Sequence, residues 1–340
     1  MRWLYEPPWW LPGGHVQTIG AAWWGRRAAT GLTFHRERLT TPDGDFVDVD
    51  QLDGSSLESV EKPLLVLFHG LEGSSASHYA LAFASQARHR GWRYVVPHFR
   101  GCSGEINLAP RAYHSGDAAE IGWMLQEIRA RHGGGGPVWA VGVSLGGNAL
   151  LRWAQEAGAE AARVVDAVVA ICSPLDLMAA GKAIDRGVNR QLYARMFLRT
   201  MKRKARQKWS QYPGLFDLDK ALRAQTLEAF DDVFTAPLHG YRGVTDYWTR
   251  ASSRHRLKEI QLPALVLNAR NDPFVPSHSL PGPGDVSDRV CLWQPDQGGH
   301  VGFAHRGKAT TGRAASWLAL DAMPSAVCDW LMDPKGGAHG

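Results

Sequence analysis

An α/β architecture with a mostly parallel central sheet is predicted by two features of the chain. Short, mostly apolar runs alternate with helical stretches, and a glycine-rich turn carrying a serine joins one such run to the next helix at Gly142-Val143-Ser144-Leu145-Gly146. Apolar runs without alternation are the mark of strands covered on both faces, and their alternation with helices is the mark of a parallel sheet.

The elements follow in order. Leu39–Asp50 alternates partly around Pro42-Asp43-Gly44 and reads as an antiparallel hairpin. Leu64–Phe68 is a buried strand, Ala76–Arg90 a helix and Arg93–Pro97 a second buried strand. Gly116–His132 is helical, with Ile121, Met124, Leu125 and Ile128 on one face. Val138–Val143, Gly147–Ala157 and Val164–Cys172 read as strand, helix and strand, and Ala264–Asn268 and Val290–Trp293 as later strands. Leu177–Tyr247 breaks this rhythm: it is helical, basic in its first half and without a convincing strand. The expected units are therefore residues 1–176 (an arm and the first part of the core), 177–251 (a helical cap) and 252–340 (the second part of the core).

Composition narrows the class. The 340 residues are 44% hydrophobic and 21% charged, which excludes a disordered, collagenous or fibrous chain. Cys102, Cys172, Cys291 and Cys328 form no CxxC pair, so neither a disulfide framework nor a cysteine zinc site is expected. No apolar run is long enough for a bilayer span, and Met1–Pro8 has no leader-like apolar core, so a cytoplasmic protein is expected. The net charge of +5 is uneven: Leu177–Ser210 holds ten Lys or Arg against Asp185 alone, leaving the rest of the chain mildly acidic. One basic segment on an acidic body argues against a nucleic-acid partner.

The G-x-S-x-G turn makes Ser144 the candidate nucleophile, because small neighbours let the backbone bend sharply and the following helix N-terminus favours developing negative charge. Its oxyanion partners would be the backbone N–H groups of Leu145 and of Leu71, which follows the strand Leu64–Phe68. His132-Gly133-Gly134-Gly135 imitates an oxyanion motif but ends a helix before the nucleophile strand, so it reads as a loop. Asp272 follows Ala264–Asn268 in a proline-stiffened loop, and His300 follows Val290–Trp293 among glycines, giving the order Ser, Asp, His. Asp176 and Asp296 compete with Asp272 for the acid. The 14 histidines form no H-E-x-x-H and no tight cluster on one helix, so no metal and no cofactor are expected. His69 is read as ordering its own loop. His15, with Gln17 and Thr18 in a tryptophan-rich arm, is read as pinning that arm, with a pocket wall as the alternative.

Five segments together resemble one family. Pro8-Trp9-Trp10-Leu11-Pro12-Gly13-Gly14-His15-Val16-Gln17-Thr18-Ile19, His69-Gly70-Leu71-Glu72-Gly73-Ser74-Ser75, His98-Phe99-Arg100-Gly101-Cys102-Ser103-Gly104, Tyr113-His114-Ser115-Gly116-Asp117 and Asn271-Asp272-Pro273-Phe274 are similar to the signatures of the YheT-like α/β-hydrolases. Gly14 departs from the pattern, which carries proline there. The resemblance, from about Pro8 to about Phe303, implies an α/β-hydrolase fold with a helical cap and a serine triad on Ser144, Asp272 and His300. It implies carboxylic-ester hydrolysis, with lipid or acyl-alcohol substrates in several relatives.

The expected function is thus a serine carboxylesterase acting on a small-molecule, acyl or lipid-like ester. An acyltransferase using the same triad and a non-catalytic hydrolase-fold binding protein are the alternatives. In the insertion, Val188, Leu192, Met196 and Phe197, extended by Tyr193, form a stripe expected to roof the pocket. Arg186, Arg190, Arg195, Arg199, Arg203 and the Lys202–Lys204 run surround it, so peripheral contact with an anionic membrane is also expected.

Overall fold

The computed structural model describes residues 3–28, 31–54, 61–305 and 319–334. Met1 and Arg2 of the expected arm, and 306–318 and 335–340 of the expected last unit, lie outside them. Eight strands form one sheet: β1 (Phe34–Thr40), β2 (Phe46–Leu52), β3 (Leu64–Phe68), β4 (Arg93–Pro97), β5 (Val138–Val143), β6 (Ala167–Ile171), β7 (Ala264–Leu267) and β8 (Val290–Trp293). Their spatial order is β1-β2-β4-β3-β5-β6-β7-β8. The hairpin β1–β2 pairs antiparallel with β4, and every other pairing is parallel.

Alternate residues of the central strands feed two cores. Leu64, Val66 and Phe68 pack under the helices Ala118–His132 and Leu145–Ala157. Leu65 and Leu67 pack on the opposite face under His78–Arg90 and Ala322–Met332. Both faces being covered explains why these strands carry no polar alternation.

Several elements depart from the sequence reading, and the hairpin expected at Leu39–Asp50 runs from Phe34 to Leu52. The strand read from Val164 begins at Ala167, because Ala161–Val164 is a last helical turn. The arm contains a 16-residue helix, Gly13–Ala28, which opens on two glycines and has no acidic residue in its first turn. It lacks local start signals. The helix Ala322–Met332 was not apparent from the sequence either. Between β6 and β7 every regular element among the described residues is helical, from Leu177–Ile184 to Val244–Ala251 and a closing turn at Arg254–Glu259.

The β1–β2 turn is tied to the loop that follows β4. The enclosed Asp45 carboxylate accepts from the amides of Phe46 (2.8 Å), Leu108 (2.6 Å) and Ala109 (2.9 Å) and from Asn107 Nδ2 (2.8 Å). Arg100 adds an ion pair at 2.8 Å. Burial opposes the charge, but these donors outweigh it and hold the Asp45 pKa down to about 2. Because the folded value is depressed, this stability is present above the ordinary value of 3.8 and is lost as pH falls toward 2. Asp45→Asn is expected to cost about 2 kcal/mol at neutral pH. The gap to wild type should close between the two pKa values, as read from urea midpoints across a pH series.

Candidate active site

The predicted residues lie at the carboxyl ends of the parallel strands: Leu71 after β3, Ser144 after β5, Asp272 after β7 and His300 after β8. The chain passes from β3 to β4 on one side and returns to β5 on the other. That reversal opens a crevice between the loops after β3 and β5, the usual place for a ligand in open α/β sheets.

Ser144 occupies the turn between β5 and the helix Leu145–Ala157, with φ 53° and ψ −120°. The backbone packing there excludes side chains. A Cβ on Gly142 would lie 2.5 Å from Gly147 Cα, and one on Gly146 would lie 2.5 Å from His69 O and 2.7 Å from Phe68 O. The small residues flanking the serine are therefore required by contact with the β3 loop as well as by the bend.

His300 Nε2 lies 3.0 Å from Ser144 Oγ, and its Nδ1 lies 2.8 Å from Asp272 Oδ2. A carboxylate only accepts, so Nδ1 carries the proton and Nε2 is left to accept from the serine hydroxyl. Asp272 has a fully enclosed side chain, and its other oxygen accepts from the amides of Phe274 (2.7 Å) and Val275 (3.3 Å). The rival acids are engaged elsewhere. Asp176 caps the helix Leu177–Ile184 by accepting from Ala179 N, and the exposed Asp296 faces Arg270 at 3.6 Å.

The arm holds the loops carrying the acid and the histidine. Thr18 Oγ1 accepts from His300 N at 2.8 Å and donates to Gly14 O at 2.6 Å. The wholly buried Gln17 accepts from Gly298 N (2.9 Å) and Asn271 Nδ2 (3.0 Å). At Gly14 a Cβ would collide with the carbonyl of Asn271. His15 stacks on Tyr193 with ring planes 6° apart and lies 3.1 Å from its hydroxyl, so it joins the arm to the segment between β6 and β7. Among the described residues that line the cavity at Ser144, the arm contributes no His15 side chain.

The Leu71 loop is clamped from both sides. Glu72, at φ 56°, donates its amide to Tyr113 Oη at 2.9 Å, and that hydroxyl donates back to the Glu72 carboxylate at 2.8 Å. Lys204, from the helix Arg195–Gln211, reaches the same carboxylate at 2.7 Å and Cys102 Sγ at 3.1 Å. Burial opposes the Lys204 charge, but Cys102 and Glu72 beside it hold its pKa above the ordinary lysine value. Among the described residues the amides of Leu71 and Leu145 meet no protein acceptor, and both residues line one cavity with Ser144. His69 is buried, with Nδ1 on Gly70 O at 2.8 Å and Nε2 accepting from Phe99 N at 3.2 Å. Burial lowers its pKa to about 3, so it is a neutral loop-ordering residue. The glycines after His132 sit at the far end of the sheet, where Gly133 closes its helix on Arg129 O.

The cavity's outer wall comes from the segment between β6 and β7, with Leu177, Ile184, Phe197, Leu227, Phe230 and Phe234 among its apolar residues. The expected stripe is split. Phe197 lines the cavity and Tyr193 packs on Phe274 at 4.5 Å, whereas Val188, Leu192 and Met196 face solvent. A π-helical turn at Arg190–Ala194 breaks the 3.6-residue period on which that stripe was read. The expected surface run Lys202–Lys204 also divides, since Lys204 turns inward to Glu72.

Cys172, Asp272 and His300 bring three donor atoms within 4.8 Å of one another. Burial pushes the Cys172 thiol well above its usual range, away from the thiolate a metal needs, and its sulfur already accepts from Val301 N at 3.3 Å. Asp272 and His300 are bonded to each other, so the donor set suits a proton relay better than a cation.

A strand–serine–helix elbow with an imidazole and a buried carboxylate in line belongs to the hydrolase class of α/β proteins. The alpha/beta hydrolase fold family matches residues 63–305. The Escherichia coli (strain K12) protein YheT, named as an esterase, is 37% identical over 319 residues, covering 93% of this chain and 89% of that one. Mouse phospholipase ABHD3 is 29% identical over 277 residues, covering 80% and 67%. In fold, the chain is similar to the Pyrococcus furiosus esterase Pf2001, with a TM-score of 0.53 at 13% identity over 92% of this chain and 95% of that one. The chain belongs to the YheT-like α/β-hydrolase family and is a hydrolase enzyme.

Two substitutions test the supports around the site. Gln17→Leu removes the partners of the Gly298 amide and of Leu11 O and leaves Asn271 Nδ2 with Gln297 alone, so a loss of about 1–3 kcal/mol is expected in urea unfolding. Ester turnover should fall as well, because the His300 loop loses its anchor. Lys204→Met should lower kcat on a short soluble ester about tenfold with little change in KM, the mark of a lost interaction at the transition state. In a double-mutant cycle with Glu72→Gln the two effects should overlap rather than add.

Proposed function

We propose that the chain is a carboxylic-ester hydrolase working through an acyl-serine. Ser144 Oγ attacks the ester carbonyl carbon as His300 Nε2 takes its proton, and the Leu71 and Leu145 amides receive the carbonyl oxygen as it becomes an oxyanion. Collapse breaks the bond to the alcohol, which leaves with the proton from His300. Water then attacks the acyl carbon, giving its proton to His300, and releases the acid while the proton returns to Ser144. Asp272 holds the imidazole in the required tautomer throughout. The observation that carries this reading is one imidazole bridging Ser144 at 3.0 Å and Asp272 at 2.8 Å, at a cavity lined with apolar side chains.

In this reading residues 177–251 are a cap over a core formed by 1–176 and 252–340. The apolar cap wall favours an acyl or lipid-like ester, in keeping with the names of mouse phospholipase ABHD3 and human monoacylglycerol lipase ABHD2 among the relatives. Among the described residues no helix is long and apolar enough to cross a membrane. Contact with lipid is proposed as peripheral, through the basic segment of the cap to an anionic surface.

Ser144→Ala should abolish both ester turnover and fluorophosphonate labelling without changing the circular dichroism spectrum. Labelling at another serine, such as Ser74 or Ser103, would reject the assignment. Asp272→Asn should lower kcat by a factor on the order of 10⁴, with Asp176→Asn and Asp296→Asn close to wild type.

A further inference from the structure

Two exposed apolar faces adjoin at the His15–Tyr193 stack. On the helix Gly13–Ala28, Ile19 lies one turn beyond His15 and is 43% exposed, and its neighbour Val16 is 45% exposed. Trp23, a further turn along, is 64% exposed. Beside Tyr193, Leu192 is 46% exposed, with Met196 at 55% and Val188 at 60%. Large side chains left in water on two adjoining elements mark an interaction surface, whereas scattered single ones do not. The same junction leads inward, because Tyr193 packs on Phe274, and the Phe274 ring lies 4.2 Å from that of His300.

Charge selects the partner. Arg190, Arg195, Arg199 and Lys202 line one shallow cleft on the same segment. Among the described residues Arg186, Arg195, Arg199, Lys202, Arg203 and Arg206 make no ion pair with a carboxylate. A second copy of the chain would bring two such basic segments together, whereas an anionic lipid surface neutralises them while its acyl region takes the apolar side chains. We infer that the helix Gly13–Ala28 and the Val188–Met196 stretch form one composite face that seats the enzyme on anionic phospholipid. Lipid would then enter beside Phe274. This rests on the proposed ester hydrolysis, and it assigns half of the membrane contact to the arm rather than to the basic segment alone.

The full-length chain is to be tested by co-sedimentation with vesicles of phosphatidylcholine, alone or mixed with phosphatidylglycerol. Wild type should bind the anionic vesicles at low salt and release them as the Debye length shrinks from about 10 Å at 0.1 M to about 3 Å at 1 M salt. The pairs Val16→Ser with Ile19→Ser, and Leu192→Ser with Met196→Ser, should each weaken binding about tenfold. Arg195→Gln, Arg199→Gln and Lys202→Gln together should weaken it about 100-fold and flatten the salt dependence. All three variants should hydrolyse soluble p-nitrophenyl butyrate at the wild-type rate, which also shows that they fold. If the Val16/Ile19 pair binds like wild type while the cation variant does not, the composite face is overturned and the basic-segment contact stands. If wild type binds neither vesicle, lipid docking fails while the Ser144 chemistry is judged by its own labelling. A wild-type dimer in sedimentation that the apolar pairs dissolve would assign the face to a second copy and reject the inference.

Discussion

Attachment of the arm to the loops after β7 and β8 is the constraint on which the site depends. Those loops leave the sheet and have no ladder to satisfy their polar groups. Gln17 and Thr18 supply the partners of the Gly298 and His300 amides from more than 250 residues away in the chain, and Gln17 adds a second acceptor to Asn271 Nδ2, which also reaches Gln297. Stranded buried groups cost roughly 1–3 kcal/mol each, so the two loops and the arm are ordered together. The close approach of Gly14 to Asn271, and of Gly299 to Gly14 O, shows how tightly the three are packed.

Backbone strain is gathered at the same end of the sheet. Among the described residues four non-glycine residues have positive φ: Glu72, Ser144, Cys172 and Val301. They follow β3, β5, β6 and β8 and surround the crevice. Such conformations cost on the order of 1–3 kcal/mol each and persist where the surroundings over-determine them. Here the surroundings are specific: Tyr113 and Lys204 hold Glu72, Ile171 O takes the Ser144 amide, and Val301 and Cys172 are bonded to each other.

The basic segment divides its charge between inside and outside. Lys204 reaches the Leu71 loop, and Lys208 gives its three protons to Asn107 O, Ala109 O and Gln211 Oε1. Arg195, Arg199 and Lys202 remain on the outer side. One helix can therefore fix the position of the cavity wall on the core and still present a cationic surface.

Much of this was legible in the sequence, because the relevant physics is local. β3, β4 and β5 appear as mostly apolar runs with the bounds found in the structure, since strands buried on both faces show little polar alternation, and the half-buried edge strand β8 is apolar over its found bounds as well. Ser144, Asp272 and His300 each follow such a strand in order, so their convergence at one edge follows from a parallel sheet. The arm helix was not legible, because Gly13 and Gly14 lack start signals and the helix is held by contacts with residues near 271 and 298–302. Nor was the inward turn of Lys204 or the outward turn of Val188, Leu192 and Met196. A π-turn rotates that stripe, and a partner 132 residues away in sequence decides where one lysine points. Local pattern determined the strands and the order of the chemistry. Only packing between distant segments decided what supports the site and which faces meet solvent, because those choices depend on neighbours that the sequence does not place side by side.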